Sequence, residues 1–493
     1  MKLKYFIFSI IFLLIILSFS STAQTSKTNN IHKQEIDEYI KSEMKSEQIP
    51  ALTYAIVLND KIIDSGAYGW ANLELKAPVN IHSLFNIGSI GKTFTASAIM
   101  LLQKDGKLSL NDPINKYFDS LPDSWKAITI KHLLSHTSGI RDYAHDFPGY
   151  PFIEKDRKQE ITEREFMKKA TDVPLNFQPG ERWAYSNSNF VLLGFIIHKV
   201  SGKPQGEFMK GRIFDPLGLK ETRYTNVSEI IPNRVSGYLL DNDNKLINGA
   251  YVSNFFSTMG DMGIITTATD LAKWSMALDD TKLLDKQTLQ QMWTSSVLNN
   301  GVEVMGVLGP NYGLGWALYY HRGYMEIGHG GSFINGYTAN LSRFPEKHLA
   351  VIVLTNLNPT NVSWIGYTIA GFYIPDLKGI DQLKAEQNSD TGLNTKVYAL
   401  LDGLGSNNLD TSLVTASFKQ RINPIAQIVF KPEAGSKRSL YFVHTDKITI
   451  NSLSRYGSQV EKINYYKFSL RGDTHYLAIY FTADDKIADM RGY

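Results

Sequence analysis

Two residues of complementary chemistry stand three apart in the stretch Phe85-Asn86-Ile87-Gly88-Ser89-Ile90-Gly91-Lys92-Thr93-Phe94. At a helix start, Ser89 and Lys92 share a face, so hydroxyl and amine point into one site. A serine hydroxyl is a weak nucleophile until a base takes its proton. A lysine becomes that base when burial or nearby cations lower its pKa. The first turn of a helix also leaves backbone N–H groups unpaired and aimed at a reacting centre. The chemistry this suggests is nucleophilic attack by Ser89 with Lys92 as proton acceptor.

Spacing alone is weak evidence, because a chain of this length should show about two Ser-x-x-Lys matches by chance. A second copy, Ser42-Glu43-Met44-Lys45, sits in a charged amphipathic stretch and reads as a solvated helix face. Ser89 has a different setting. Gly88 and Gly91 allow close backbone approach, Phe94 and Ile99 to Leu102 follow at buried-helix spacing, and Gly106 supplies a stop. Two further pieces bear on it. In Tyr185-Ser186-Asn187, Tyr185 could relay a proton if cations such as Lys92 lie beside it, and Asn187 could hold a carbonyl or orient Lys92. In Gly328-His329-Gly330-Gly331-Ser332, the glycines let a strand edge press against a substrate. The backbone N–H of Ser332 could there join that of Ser89 as an oxyanion hole.

In this order, Ser-x-x-Lys, then Tyr-x-Asn, then a His-x-Gly strand, the chain resembles the serine β-lactamase and penicillin-binding-protein superfamily. The branch is that of class C β-lactamases, D-Ala-D-Ala carboxypeptidases, D-aminopeptidases and related esterases. The resemblance runs from Ile36 to Tyr373 and takes in Leu133 to Ile140, Gln178-Pro179-Gly180, Thr266 to Trp274, Tyr312 to Trp316 and Gly328 to Tyr337. It implies that Ser89 is the acylated nucleophile and that Lys92 and Tyr185 share the proton transfers. It further implies that Asn187, His329, Gly330, Gly331 and Ser332 bind substrate, with Ser89 and Ser332 giving the oxyanion-hole amides. The departure is His329, where a lysine would give a substrate carboxylate a permanent cation. A histidine is charged only part of the time near neutrality. This leans towards peptide, D-amino-acid or ester substrates, and a lysine placed at 329 is expected to favour β-lactam acylation. The alternatives are a β-lactamase or carboxypeptidase, and a non-catalytic binder that keeps the fold. The intact Ser89, Lys92, Tyr185 and Asn187 argue against the binder.

These residues need elements to hold them, and 493 residues suffice for two or more domains. Composition is globular, 43% hydrophobic and 20% charged, and the net charge of +3 gives no reason to expect nucleic acid. The absence of cysteine excludes disulfides, thiol catalysis and Cys-ligated zinc, and no His-Glu-x-x-His helix is present; neither a metal nor a cofactor is expected. Lys2 and Lys4, the apolar run Tyr5 to Leu17 and the small residues Ser21-Thr22-Ala23 read as a cleaved signal over 1–23. The expectation is an exported protein with no membrane span after cleavage, acting on a small molecule or peptide such as a cell-wall peptide.

Ile36, Ile40 and Met44 predict an amphipathic helix. Leu52 to Leu58 and Lys61 to Ala67, split by Asn59-Asp60, predict a hairpin. Later strands are expected at Gly313 to Tyr320, Tyr324 to Gly328, Gly336 to Phe344 and Leu349 to Thr355. The fold class is α+β: an antiparallel sheet plus a helical region over 24–375, with the site between them. Residues 376–394 read as a linker and 395–493 as a small α+β accessory domain without chemistry of its own. His136 reads as a loop hydrogen-bonding residue, and the aromatic segment Phe147 to Phe152 as a surface loop or pocket wall.

Overall fold

The structure is a computed structural model, and it describes residues 32–144, 154–304, 310–386, 391–419, 440–448, 454–455, 458–470 and 473–492. The signal reading and the segment Phe147 to Phe152 lie outside the described residues.

The chain opens with helix α1 (32–46), on which Ser42 and Lys45 are exposed, as a solvated face requires. Strands β1 (Ala51–Leu58) and β2 (Lys61–Asn72) form the expected hairpin, and β3 (Ala77–Pro78) extends it. Asn59 and Asp60 turn it with φ of 49° and 59°, a left-handed pair that suits a two-residue hairpin. A helical region follows, of which α2 (Gly91–Lys104), α3 (Asn187–Ser201) and α4 (Ala268–Asp279) matter most here. At the start of α4 the Thr267 hydroxyl caps the helix by accepting from the Asp270 N–H at 3.1 Å. The chain then returns to the sheet through β4 (Asn311–Tyr312), β5 (Ala317–His321), β6 (Tyr324–Phe333), β7 (Tyr337–Phe344) and β8 (Leu349–Thr355). Helix α5 (Val362–Tyr373) closes this unit.

The sheet has eight strands in the order β3-β2-β1-β8-β7-β6-β5-β4, with antiparallel neighbours throughout. The two-residue period sorts its side chains between two cores. Ala55 and Val57 of β1, with Ile352 and Leu354 of β8, face the helical region. Leu52, Tyr54 and Ile56, with Val351 and Val353, face α1 and α5. A sheet buried on both faces fixes its register, because a one-residue slip would exchange the two cores. The expected strand Tyr324 to Gly328 runs on to Phe333. This extension matters because β5 pairs only with Tyr324 to Gly328, so β6 continues past its outer neighbour.

The last described part is helix α6 (Thr391–Ser406) and the antiparallel strands β9 (Leu440–Lys447), β10 (Lys462–Leu470), β11 (Asp473–Phe481) and β12 (Ile487–Gly492). Val397, Leu400 and Leu404 of α6 pack on Leu477, Ile479 and Phe481 of β11. The alternate residues Ala478 and Tyr480 join Ile463, Tyr465 and Ile380 on the other face, against which Trp364 of α5 packs. This accounts for a departure from the linker expected over 376–394. Leu377 and Ile380 in that stretch are fully buried, and α6 begins at Thr391. Arg322, after β5, also forks onto Asp446 of β9, with one bond of 2.7 Å. No helix among the described residues is long and apolar enough to cross a membrane.

Candidate active site

Ser89 sits on a 3-10 turn, Gly88–Ile90, that runs straight into α2. Every residue from Gly91 to Leu102 is buried, so the turn is anchored by a helix that is packed on all sides. The approach to β6 depends on two glycines. Gly88 has φ +49°, and a Cβ there would lie 2.7 Å from the Ser332 nitrogen. A Cβ on Gly331 would run into the Ile87 carbonyl and lie 3.2 Å from the Ser89 nitrogen. Gly91, expected to matter for the same reason, has only ordinary contacts around its Cβ position, and around Gly330 the space is open. The backbones of Ser89 and Ser332 thus face each other across the β6 edge that β5 leaves uncovered.

Lys92 is fully buried. Its Nζ donates to Ser89 Oγ at 2.9 Å, to Asn187 Oδ1 at 2.7 Å and to the Asp261 carbonyl at 3.2 Å. Burial lowers its pKa to about 8 although Asp261 and Asp142 pull it upwards. A free amine is therefore well populated just above neutrality. The Asp261 carbonyl reaches this point because Phe85–Asn86, before Ser89, pairs with Ile264–Thr266, after Asp261. Asn187 opens α3 and is held by Asp142, which accepts from its backbone N–H at 3.0 Å and its side-chain amide at 3.1 Å. The Asp261 carboxylate accepts from the Tyr143 hydroxyl at 2.9 Å, and burial raises its pKa to about 6.

Tyr185 is half-buried and hydrogen-bonded to the Ser89 side chain. Burial pushes its hydroxyl well above 10, so it is a phenol and not a phenolate, despite Lys92 Nζ lying 5.0 Å from its ring. The ring packs on His136 at 4.3 Å. His136 Nδ1 accepts from the Ser186 N–H and the Asn189 amide, both at 3.2 Å, which is the loop role expected for it.

His329 differs from expectation. It is 6% exposed and engaged at both nitrogens: Nδ1 donates to the Gly330 carbonyl at 2.6 Å and Nε2 accepts from the Tyr312 hydroxyl at 3.0 Å. Burial, then Lys92, lowers its pKa to about 3, so it is neutral at any physiological pH. A cleft of about 110 Å³ is lined by Ser89, Asn187 and Ser332, by the apolar Val252, Phe256 and Phe333, and by Tyr143 and Arg157. His329, Gly330 and Gly331 do not line it. Arg157, 7% exposed, is the charged side chain on the lining. A larger cavity of about 790 Å³ in the helical region holds neither Ser89 nor Lys92.

Sequence reasoning missed Asp142, Tyr143, Arg157, Asp261 and Tyr312. The available signals were an acid set just after the Leu133 to Ile140 stretch and an acid between Gly260 and Gly263. Two predictions arise here. His329→Lys should bury a second ammonium beside Lys92 and destabilise the fold by about 3 kcal/mol or more, visible as a lower melting temperature. This reverses the expectation that a lysine there would serve substrate. Asp142→Ala should release Asn187 and lower kcat about tenfold to a hundredfold, since it removes two charge-assisted hydrogen bonds, with KM changing less.

A Ser/Lys/Tyr/Asn cluster between an antiparallel sheet and a helical region is an arrangement that suits a serine hydrolase. The β-lactamase family model matches residues 36–370, and the chain belongs to that family. It is 30% identical over 305 residues to a penicillin-binding protein of Bacillus subtilis strain 168, covering 59% of this chain and 64% of that protein. The match thus spans less than two thirds of that relative's length. Among solved structures, an octameric penicillin-binding protein homologue from Pyrococcus abyssi covers 92% of this chain and 94% of its own, with 22% identity and a TM-score of 0.61. The D-amino acid amidase of Ochrobactrum anthropi SV3 covers 67% of this chain and 91% of its own, with 25% identity and a TM-score of 0.56.

Proposed function

We propose that this protein is an exported hydrolase that cleaves amide or ester bonds of small peptide or D-amino-acid substrates through an acyl-enzyme on Ser89. The observation that carries the reading is the buried Lys92 amine, 2.9 Å from Ser89 Oγ and with a lowered pKa. Lys92 takes the Ser89 proton as Oγ attacks the carbonyl carbon. The resulting ammonium is met by Asn187 Oδ1 and the Asp261 carbonyl. The backbone N–H groups of Ser89 and Ser332 receive the developing oxyanion. Tyr185, a phenol bonded to Ser89, gives its proton to the leaving nitrogen or oxygen and is reprotonated by the Lys92 ammonium, which leaves the amine free again. Water then attacks the ester, with Lys92 again the base, and restores Ser89.

The narrow cleft with apolar Val252, Phe256 and Phe333 favours a small apolar acyl group. The amidase among the structural neighbours supports amide cleavage, and a cell-wall peptide falls within the same class. Export rests on the basic and apolar start of the chain. A penicillin-binding carboxypeptidase is the second reading, favoured by the name of the Bacillus relative. Neutral His329 weighs against it. Intact-protein mass after mixing with penicillin, followed in time, separates the readings. A persistent adduct on Ser89 indicates the carboxypeptidase, and a transient adduct with drug consumed indicates a β-lactamase. No adduct in protein that hydrolyses a chromogenic D-amino-acid amide or ester supports the proposal. No adduct and no hydrolysis would overturn it.

A further inference from the structure

On the back of the main sheet lies a second cavity, of about 420 Å³, between β5–β7, α5 and the C-terminal sheet. Its size is that of an ordinary small-molecule pocket. We propose that this cavity is a second ligand site, which binds an organic ammonium group such as that of a primary amine, between the Glu326 carboxyl group and an aromatic wall of Tyr319, Trp364, Tyr367 and Tyr476. The proposal does not rest on the reading of Ser89.

The aromatic wall comes from both units. Trp364 of α5 lies 5.7 Å from Tyr476 of β11 and 6.2 Å, edge-on, from Tyr367. Aromatic faces carry negative charge density and attract ammonium groups once water is removed. Tyr319 is the cross-strand neighbour of Glu326. Glu326 is 2% exposed, and its carboxyl oxygens accept from Ser342 and, at 2.8 Å, from the Tyr367 hydroxyl. Those two bonds orient the group without neutralising it.

The cation on the lining is already engaged. Arg491 donates through Nε to Asp489 Oδ2 at 2.8 Å and through Nη2 to Asn311 Oδ1 at 2.7 Å. Asp489 is fully buried and balances it. An anionic ligand would meet Glu326, and a neutral one would leave its carboxylate without a counter-charge. An ammonium group satisfies both the carboxylate and the rings. Burial raises the Glu326 pKa to about 7, and a bound cation favours the ionised form. The groups that share its surroundings are Tyr319 and Tyr320 on β5, Asn340 and Ser342 on β7, Tyr367 on α5, His475 and Tyr476 on β11, and Arg491 on β12.

The test is isothermal titration of the full chain with n-butylammonium chloride, with 1-butanol as the uncharged control. Saturable binding is expected for the ammonium alone. It should be about tenfold tighter at pH 8 than at pH 6, the ratio of ionised Glu326 for a group titrating near 7. The pH dependence should survive His475→Gln, which removes the imidazole from the cavity, and vanish in Glu326→Gln. Glu326→Gln and Tyr476→Leu, one from each unit, should each weaken binding about tenfold. Glu326→Gln removes a buried charge, so it should melt no lower than the parent at pH 8. The proposal is overturned by the absence of saturable binding, by butanol binding as tightly as the ammonium, or by undiminished affinity in either variant.

Discussion

Ser89→Ala is expected to lose hydrolysis of every amide or ester substrate by about four to six orders of magnitude, as removal of an activated nucleophile does in serine hydrolases. The size follows from the absence of a substitute. The next hydroxyl bonded in the cluster is the Tyr185 phenol, whose pKa is raised by burial, making it a poor nucleophile. The fold should be untouched. Ser89 contributes the bond it accepts from Lys92 and the bond with Tyr185, and Lys92 keeps its bonds to Asn187 and the Asp261 carbonyl. Steady-state hydrolysis of a chromogenic ester, with a melting curve as control, checks both halves. Turnover near the parent rate in the variant would remove Ser89 from the mechanism.

Lys92→Met is expected to lower kcat/KM by about two to four orders of magnitude, the usual contribution of a positioned general base. The parent enzyme should show the matching pH dependence. Burial lowers the Lys92 pKa from its ordinary value to about 8, so the free amine fills in as pH rises and kcat/KM should climb to a plateau above about 8. That rising limb should vanish in Lys92→Met. Lys92→Arg should not rescue it, because a guanidinium stays protonated.

The same shifts set a stability trend. The folded state holds the Lys92 proton less tightly than the unfolded chain does, so this group adds stability as pH rises from about 8 towards its unfolded value. Asp261 works in the opposite sense. Its raised pKa means that stability is lost as pH climbs towards about 6. Without Lys92, which lowers the Asp261 pKa, that carboxyl should ionise at higher pH still. A pH–rate profile and a pH series of melting curves for parent and Lys92→Met carry the check.

Much of this was legible in the chain itself. The hairpin at Asn59-Asp60, the helix after Ser89, the Thr267 cap and the strands from Ala317 to Thr355 are local: turn residues, caps and the two-residue period report on neighbours close in sequence. The order of Ser-x-x-Lys, Tyr-x-Asn and His-x-Gly was likewise enough to reach the family. The rest depends on residues brought together from afar. Asp142 and Asp261 lie some 50 and 170 positions beyond Lys92, and nothing local says that one orients Asn187 while the other's carbonyl meets the amine. Whether a histidine carries charge is decided by what surrounds it. The sequence permits a partly charged His329, but burial beside Lys92 and Tyr312 keeps it neutral. The linker reading failed for the same reason. A polar stretch looks loose in isolation, yet Leu377 and Ile380 fill a core whose other half is supplied by strands further along the chain. Local pattern determines elements and names the chemistry, while desolvation and long-range packing decide protonation, which groups face the cleft and where a second cavity lies. Those are properties of a filled volume, and only the folded chain has one.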